Sequence, residues 1–395
     1  WYVKAEREIG VVGTGDEDQS GQGRGHYPPR SADYPLPPEA KPYMVQRMQS
    51  KLGPMGYQVI HEPHARVSRP YDGRPACAGN NNCEPICPIG AMYSGDMHVD
   101  KAVALGAELR TECVAWKLEK GAGNKIVALT YRKPDGKDTR LTAKVFIIAA
   151  HGLETPKLLL MNDIANSSDQ VGRNLMDHTG LSLTFLADEP LWTGRGSVQH
   201  GTIANRRDEP SRAQHSAIRH SLRNLVPNVD VTVPLLRQGV MGQALDDAIR
   251  DRASRIMNIS TMSETLPSPT NRIVPNYDRK DSIGLPMMKV DYHLDSYVRG
   301  MRPQAYKDFA NFLQAFNGEV IEAPTGWRNQ YHIMGTTIMG DSPKDSVVDA
   351  HCRSWDHPNL FLATTGVMPT SATVNPTLTG IALAIRLADT VAREV

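Results

Sequence analysis

The feature that most constrains the fold of this chain is a short apolar run that leads directly into a turn and a helix-like segment. Residues 145–150 read "VFIIAA", and apolar side chains at every position are typical of a strand covered on both faces. The next segment, "HGLETPKLLLM" at 151–161, starts with a glycine turn and continues as an apolar helix. This order predicts an α/β arrangement with a site at the carboxyl end of the strand, although a plain packing unit would have the same pattern.

The middle of the chain has a different pattern, which predicts a mainly antiparallel sheet. Short alternating stretches recur over residues 180–300, and a helical segment interrupts them: "LSLTFLA", "VDVTVPLL", "GQALDDAIRDRASRI", "RIMNIST" and "MMKVDYHL". Before them, Pro134, Asp135 and Gly136 separate two strand-like runs and predict a hairpin. Helical spacing of apolar residues predicts helices at 43–53, 302–316 and 376–395.

Composition and charge narrow the class of protein. The 395 residues carry a net charge of +1, so nothing favours a nucleic-acid partner, and 40% hydrophobic with 22% charged residues is ordinary for a globular protein. The apolar run at 145–150 is far too short to cross a bilayer. Residues 10–42 are rich in Gly, Pro and charge and predict an irregular excursion over the surface. Their "GVVGTG" follows no apolar strand, so we interpret it as a loop rather than a nucleotide site.

A Gly- and Asn-rich loop holds three of the chain's five cysteines, Cys77, Cys83 and Cys87. Their spacing is compact enough for three thiolates to converge on one centre, and thiolates suit zinc or an iron–sulfur cluster. We interpret the loop as a metal or cluster site. Three ligands fit a three-iron (3Fe-4S) cluster better than a four-iron one.

Other interpretations of the loop stay open at this point. It could be a buried free-thiol loop, or one disulfide with a spare cysteine. Structural zinc normally has four protein ligands, and His98 is only a weak candidate for the fourth. A four-iron cluster would recruit Cys113 or Cys352, both of which we interpret as inert buried thiols.

Two polar residues near the C-terminus are candidates for catalysis. His332 lies in the polar turn of "NQYHIMGTTIMG", and Asn375 comes just before Pro376 and the last helix. An imidazole can take a proton while an amide orients the reacting oxygen. His332 could equally be structural, and Asn375 followed by Pro376 is typical of a helix cap. A capped helix start also offers free N–H groups to an anion, such as the pyrimidine edge of a reduced flavin.

Several segments together resemble one family of oxidoreductases. "YHIMGTTIMG" and "SVVDAHCRSWDHPNLFLATTGVMPTSATVNPTLTGIALAIRLAD" closely resemble the C-terminal signature of glucose–methanol–choline (GMC) oxidoreductases. "AVALGAELRTECVAWKLE", "FIIAAHGLETPKLLLMN" and "VGRNLMDHTG" resemble the middle of that family, in the right order. The resemblance covers nearly the whole chain. Within the family, the cysteine loop resembles that of bacterial membrane-associated dehydrogenases.

The resemblance implies an α/β (α+β) fold with a GMC-type FAD-binding domain and an antiparallel-sheet substrate domain. It implies a partial FAD-binding domain at 1–179 with an Fe–S loop at 77–87, the substrate-binding sheet at 180–300, and a C-terminal segment at 301–395 that returns to the FAD domain. The family begins with a strand, a G-x-G-x-x-G turn and a helix, which these residues lack. We therefore expect Trp1 to lie inside a longer protein.

Residue by residue, the resemblance implies these roles. His332 would be the catalytic base with Asn375 as its partner, and the three cysteines of the loop would be the ligands of a 3Fe-4S cluster. Many family members have a second His where this chain has Asn375. The residues expected beside FAD share positions that match the family's cofactor contacts: Val114 on the adenine side, and Gly366, Val367, Pro376 and Thr377 near the isoalloxazine.

The implied function is oxidation of an alcohol group of a sugar, sugar acid or polyol, of the gluconate or glucose type, with a non-oxygen acceptor. Electrons would pass from FAD through the cluster to a multihaem cytochrome c subunit, beside a small export or chaperone subunit. The parent protein would act on the periplasmic side of the bacterial inner membrane, held there by its partner. The alternative is a non-enzymatic chain that binds a metal or an Fe–S cluster for electron transfer or structure.

Overall fold

A computed structural model describes residues 1–15 and 30–394 of the chain. The helices are α1 Tyr2–Ile9, α2 Tyr43–Leu52, α3 Asp96–Ala104, α4 His151–Met161, α5 Asn228–Arg237, α6 Gly242–Arg255, α7 Ser296–Arg299, α8 Arg302–Ala315 and α9 Thr377–Glu394. In the described residues no helix combines the length and apolar character needed to cross a bilayer. Short 3₁₀ turns occur between these helices, and one of them, Thr365–Val367, matters for the site.

The strands up to β8 are β1 Val59–His61, β2 Val114–Lys120, β3 Ile126–Arg132, β4 Asp138–Leu141, β5 Phe146–Ile148, β6 Thr179–Gly180, β7 Ser182–Leu186 and β8 Gln199–Ile203. The remaining strands are β9 Ile218–Arg223, β10 Ile256–Ser263, β11 Arg272–Lys280, β12 Pro286–Asp291, β13 Glu319–Glu322, β14 Arg328–Asn329 and β15 Leu360–Leu362. Strands and helices are mixed, which confirms the predicted fold class.

The largest sheet is antiparallel throughout. Its order is β1-β8-β9-β10-β6-β14, and β7 pairs with both β10 and β13. The predicted antiparallel pattern over 180–300 is therefore present, and the sheet also takes β1, β13 and β14 from outside that segment. Helices α2 and α8 cover one face, where Met48, Phe185 and Phe312 lie in a core without exposed surface. Burial of such large apolar side chains is the main stabilising contribution to this layer.

The strand–turn–helix unit that opened the sequence argument is formed by β5 and α4. Strand β5 pairs in parallel with β15, and Ala363 N–H donates to Ile148 O at 2.9 Å, so both strands end at the same edge. The prediction that β5 is covered on both faces is wrong, because Ile147 is 48% exposed while Phe146 and Ile148 are buried. Within the described residues β5 pairs with β15 only, and α4 lies on the side of the buried pair.

Two other predictions have clear outcomes. The hairpin at Pro134–Gly136 is confirmed, since β3 pairs with β4 and Lys133 N–H donates to Lys137 O at 3.0 Å. The stretch "VDVTVPLL", predicted as a strand, is helix α5. Its apolar residues alternate, but Val231 and Leu235, one helical turn apart, are buried while Val229 is 71% exposed.

Part of the segment at 10–42 is buried, although its composition predicted an irregular excursion over the surface. Residues 16–29 of it lie outside the described part of the chain. Val12 bridges to both His64 and Leu36, and Val12 and Leu36 are buried in a small core beside the cysteine loop. These bridges bring the residues after Leu36 close to β1, the strand at one edge of the large sheet.

Candidate active site

His332 and Asn375 are in direct contact, although 43 residues separate them in sequence. Asn375 Nδ2 lies 3.0 Å from His332 Nε2. The other ring nitrogen, Nδ1, lies 2.9 Å from Nδ1 of a second histidine, His178. Two backbone hydrogen bonds, Met176 N–H to Met334 O and Met334 N–H to Met176 O, both 3.0 Å, form the bridge whose antiparallel register sets His178 opposite His332.

The hydrogen bonds of His178 fix the proton positions along this chain of side chains. His178 Nε2 faces two carbonyl oxygens, Ser371 O at 3.1 Å and Ala372 O at 3.0 Å, so Nε2 carries the proton and donates. His178 Nδ1 is then the acceptor, and His332 Nδ1–H donates to it. The lone pair of neutral His332 is therefore on Nε2, where it accepts the amide N–H of Asn375.

Arg219 orients Asn375 from the other side. Its Nη2 donates to Asn375 Oδ1 at 3.2 Å, and its Nε donates to Thr373 O at 3.1 Å. Arg219 also forms a short ion pair with Glu62, and its side chain is only 2% exposed. Because the guanidinium occupies the amide oxygen, the amide nitrogen of Asn375 must point at His332. Both ends of the Asn375 amide are thus engaged by side chains, and helix α9 begins two residues later, so the helix-cap interpretation of Asn375 is wrong.

The environment keeps both histidines neutral. Burial, followed by the positive charge of Arg219, lowers the pKa of His332 from 6.5 to about 4. Burial also lowers the pKa of His178 to about 4, and His332 and Arg219 add to the effect while the carbonyls of Ser371 and Ala372 oppose it. At neutral pH, His332 is therefore in the form that can accept a proton.

The backbone around His332 is held in place by a buried carboxylate. Asp177 Oδ1 accepts His332 N–H at 2.7 Å, and Asp177 Oδ2 accepts Tyr331 N–H at 3.1 Å. Tyr331 has φ +59° and Ala372, whose carbonyl accepts from His178, has φ +51°. Such left-handed backbone at non-glycine residues carries strain, which the surrounding hydrogen bonds hold here.

The predicted isoalloxazine residues lie at the common carboxyl edge of β5 and β15. Gly366 and Val367 are buried in the turn after β15, and a Cβ at Gly366 would lie only 2.8–2.9 Å from the hydroxyls of Thr336, Thr364 and Thr337. Thr337 Oγ1 is buried and has no hydrogen-bond partner among the described residues. A close backbone approach and a free buried hydroxyl both fit a planar polar cofactor at this edge.

Of the other three cofactor candidates, two lie near this edge and one lies on a different sheet. Pro376 is buried and Thr377 is the exposed first residue of α9, so both lie next to the His332–Asn375 pair through Asn375. Val114 is elsewhere: it opens strand β2 of the three-stranded sheet β2-β3-β4, pairs with Arg132 and is 45% exposed. The structure therefore brings four of the five residues near His332 and leaves Val114 on a separate sheet.

The cysteine loop lines a pocket of its own. Cys77, Cys83 and Cys87 all face this pocket, together with the intervening Gly and Asn residues and Gly196. All three are free thiols, which excludes the disulfide interpretation. Asn81, with φ +60°, ties the loop to the sheet through bonds from Nδ2 to Gly196 O at 3.0 Å and to Asn224 O at 2.6 Å.

Hydrogen-bond donors point at the sulfur atoms. Arg66 Nε donates to Cys83 Sγ at 3.2 Å, and Gly79 N–H donates to Cys77 Sγ at 3.4 Å. Burial raises the pKa of Cys77. Burial would also raise the pKa of Cys87, but N–H groups of residues 89–92 outweigh it and lower that pKa. Such donors are typical of the surroundings of cluster-bound sulfur.

The spacing of the sulfur atoms bears on the kind of metal. In the described residues, the metal-ligating side chains whose donor atoms all lie within 4.8 Å of one another are Glu39, His61, His64 and His200, and no cysteine is among them. A zinc ion bound by the loop would need sulfur atoms about 3.8 Å apart, because Zn–S bonds are about 2.3 Å long. The choice between zinc and an iron–sulfur cluster therefore stays a prediction.

The remaining candidates around the loop are also placed. His98 bonds to Tyr93 Oη through Nδ1 at 3.0 Å and faces Glu8 through Nε2 at 3.4 Å. Cys352 is buried, as predicted, at 1% exposure. Cys113 is not a buried thiol: it is half-buried just before β2, and its Sγ donates to Thr111 O at 3.1 Å.

Sequence reasoning missed three residues that shape the site: Asp177, His178 and Arg219. Asp177 and His178 lie inside the quoted motif "VGRNLMDHTG", and a charged residue beside a histidine at a strand end was the available signal. Arg219 lies in "AIRHSLR" on β9, where its charge looks like an ordinary solvated position of an alternating strand. Only the fold shows that it is buried.

The sequence motifs and the geometry of the site both indicate the same protein family. Residues 63–180 and 267–384 match the N- and C-terminal parts of the GMC oxidoreductase family, respectively. The chain belongs to the GMC oxidoreductase family and is an oxidoreductase that acts on CH–OH donors. Membership of this family implies FAD as the cofactor.

Individual relatives narrow the comparison. The fructose dehydrogenase large subunit of Gluconobacter japonicus is 41% identical over 402 residues, which cover 100% of this chain and 73% of that protein. The gluconate 2-dehydrogenase flavoprotein of Pantoea cypripedii is 23% identical, over 90% of this chain and 63% of that protein. Among solved structures, pyridoxine 4-oxidase from Mesorbium loti shares the fold, with a TM-score of 0.62 at 17% identity over 98% of this chain and 76% of that chain.

Proposed function

We propose that this chain belongs to a dehydrogenase that oxidises a hydroxyl group of a sugar, sugar acid or polyol and passes the electrons on through an iron–sulfur cluster. The observation that carries the proposal is the ordered chain Arg219–Asn375–His332–His178, which leaves one lone pair on a neutral imidazole. The 41% identity with a fructose dehydrogenase large subunit supports a sugar or polyol as the substrate class.

His332 is the base in this proposal. A substrate hydroxyl that reaches His332 Nε2 takes the place of the Asn375 amide N–H and gives up its proton to the lone pair. Asn375 Nδ2, held by Arg219 on the opposite side of the amide, then donates to the substrate oxygen. His178 keeps the proton on His332 Nδ1, so that Nε2 is the nitrogen that accepts. Holding the substrate hydroxyl and the His332 imidazole in this geometry lowers the free-energy barrier of the proton transfer.

The cofactor would lie at the carboxyl edge of β5 and β15. Gly366 allows close backbone approach, Thr337 offers a buried hydroxyl, and the start of α9 directs N–H groups toward negative charge. FAD bound there supplies the hydride acceptor for the carbinol carbon. Val114 would meet the adenine side from the three-stranded sheet.

The cysteine loop would carry electrons away. Cys77, Cys83 and Cys87 would each bind an iron of a 3Fe-4S cluster, supported by the hydrogen-bond donors to Cys83 and Cys77. A built-in cluster favours a protein acceptor over oxygen, and a multihaem cytochrome c subunit is the proposed partner. A small export or chaperone subunit and a place on the periplasmic side of the inner membrane, held by the partner, belong to the same proposal.

One experiment tests the enzyme and the cluster together. Flavin, iron and acid-labile sulfide are measured in the purified full-length protein that contains this chain, beside dye-linked turnover with D-fructose, D-gluconate, D-glucose and D-sorbitol. Cys83→Ser should lose iron and sulfide and most of the dye-linked turnover. Cys113 is a half-buried cysteine outside the loop, so Cys113→Ser should keep the iron, the sulfide and the dye-linked turnover.

Each outcome separates the alternatives. Zinc without iron would reject the cluster. Iron and sulfide without flavin, and without substrate-dependent dye reduction, would indicate an electron carrier rather than an enzyme. Flavin with full turnover in Cys83→Ser would leave the dehydrogenase in place and remove the cluster from its electron path.

A further inference from the structure

Four metal-ligating side chains converge at a second place, away from His332. Glu39, His61, His64 and His200 each offer one ligand atom, and these four atoms all lie within 4.8 Å of one another. The imidazole rings surround a common point, with centroid separations of 4.8 Å for His61–His200, 5.5 Å for His61–His64 and 6.0 Å for His64–His200.

The fold brings these residues together from three separate segments. His61 ends β1 opposite Gly201 of β8, so that it lies beside His200. His64 follows β1 and bridges to Val12, and Val12 also bridges to Leu36, three residues before Glu39. The cluster therefore joins two strands of the large sheet to the segment that crosses their end.

Polar atoms of Glu39 and His200 in this cluster are buried without hydrogen-bond partners within residues 1–15 and 30–394. His61 is 2% and His200 1% exposed, and the His64 side chain is 7% exposed. Both oxygens of Glu39 and Nδ1 of His200 are buried without a hydrogen-bond partner in the described part of the chain. Glu39 Oε2 lies 3.5 Å from His64 Nε2 and 3.8 Å from His61 Nε2, beyond the usual range of about 2.7–3.2 Å. A carboxylate buried in this way is costly unless a cation or a donor compensates it.

We infer that Glu39, His61, His64 and His200 form a binding site for a divalent transition-metal ion, with Zn²⁺ as the best match. Imidazole nitrogen suits Zn²⁺, and three imidazoles with one carboxylate fill the four positions of its tetrahedral coordination. Because the protein supplies all four ligands, no position is left for substrate. The site is structural rather than catalytic.

The site lies next to the cysteine loop. Ser197 Oγ lies 3.4 Å from His64 Nε2, and the neighbouring Gly196 N–H donates to Gly79 O in the loop at 3.1 Å. Metal binding at His64 Nε2 puts the imidazole proton on Nδ1, so the 3.3 Å contact from Arg66 N–H to that nitrogen must open. Arg66 Nε also donates to Cys83 Sγ, so the contact that opens lies next to the loop.

Co²⁺ is the probe that separates this site from the thiolates. The purified full-length protein is treated with a chelator that removes loosely bound divalent ions, and then titrated with Co²⁺ and, separately, with Zn²⁺. We expect one equivalent of Co²⁺ per chain, with visible d–d bands and no thiolate-to-cobalt charge transfer. Zn²⁺ should displace it and raise the melting temperature.

Variants decide which residues bind the ion. Glu39→Gln, which keeps the shape of the side chain, and His200→Ala should each weaken Zn²⁺ binding at least about 100-fold, since loss of outer contacts alone costs about 10–100-fold. His98→Ala, a half-exposed histidine outside the cluster, should bind like the parent protein. Cys83→Ser should also retain the Co²⁺ bands.

Two results would overturn the inference whatever the variants do. One is a folded parent protein that takes up no Co²⁺ or Zn²⁺ after chelation. The other is a cobalt spectrum with a thiolate charge-transfer band that disappears in Cys83→Ser. Neither result depends on dehydrogenase activity, so this inference and the proposed function fail independently.

Discussion

Two histidine clusters in the molecule differ in how their nitrogens are satisfied. In the first, His178 and His332 form a directional chain of hydrogen bonds that ends at an amide. In the second, His61 and His64 lie 3.8 and 3.5 Å from the Glu39 carboxylate, which is too long for good hydrogen bonds, and His200 lies beside them. The first arrangement holds a proton at a defined atom, and the second is suited to hold a cation.

The end of strand β1 contributes to both clusters. His61, its last residue, belongs to the second cluster, and the next residue, Glu62, pairs with Arg219 in the first. In each cluster the side chains that contact the imidazoles determine which charge the cluster favours. A guanidinium and an amide keep imidazole neutral with one lone pair exposed, whereas a buried carboxylate attracts positive charge.

The largest expected effect is the loss of the proton acceptor in the first cluster. His332→Ala should lower kcat of dye-linked turnover by about 10²–10⁴-fold, the usual contribution of a general base. The flavin content should stay near that of the parent protein, because no described contact of the His332 side chain is with Gly366 or Thr337. Steady-state kinetics with the best substrate measure the effect.

A matched control is His351→Ala, an exposed histidine whose Nδ1 meets Thr390 Oγ1 at 3.2 Å. It should change kcat by less than about twofold, as is usual for exposed positions. Turnover of His332→Ala within about tenfold of the parent would exclude His332 as the base.

The next largest effect tests the residue that orders the first cluster. Arg219→Met keeps much of the side-chain volume but leaves the Glu62 carboxylate, only 13% exposed, without its guanidinium. Breaking a buried pair from one side costs about 3–5 kcal/mol of unfolding free energy. Urea unfolding, followed by fluorescence, measures this cost as a lower midpoint at unchanged m-value.

Arg250→Met is the comparison for that measurement, because Arg250 pairs with Asp246 on the exposed face of α6. It should lower the urea midpoint far less than Arg219→Met does, because exposed ion pairs contribute little to stability. If the two variants are equally stable, Arg219 does not act as the buried link between Glu62 and Asn375.

The sequence indicated the His332–Asn375 pair better than its surroundings. His332 in a polar turn and Asn375 just before the last helix both lie in segments that match a family signature. His178 is only one residue in a longer motif, and Arg219 occupies an ordinary alternating position. Their importance depends on which faces become buried, and that is a property of the assembled sheet rather than of local sequence.

The same limit explains the errors in the fold. The apolar residues of "VDVTVPLL" alternate, as in a strand, but packing against α6 stabilises them as helix α5, and tertiary contacts override β-propensity. Likewise, Glu39 lies within the 10–42 segment, whose Gly and Pro content predicts only a surface loop. Its approach to His64 depends on the bridges of Val12, which no periodicity indicates.

The smallest expected effect is a pH dependence that is nearly absent near neutrality. The pKa of His332 is lowered to about 4 by burial and by Arg219, so the base form persists above about pH 4 and is lost only as the pH falls through that value. We expect kcat/KM to change by less than about twofold between pH 6 and 8, whereas an ordinary histidine with a pKa near 6.5 would give roughly a fourfold change.

Asn375→Asp sharpens the contrast, because it puts a carboxylate beside His332 as Glu39 lies beside His64. An opposite charge at this distance raises a histidine pKa by about 1–3 units, so the acid limb of that variant should move toward neutral pH. A parent protein whose acid limb already lies near pH 6.5 would show that His332 is not held neutral by Arg219, and the two clusters would then differ less than their hydrogen bonds indicate.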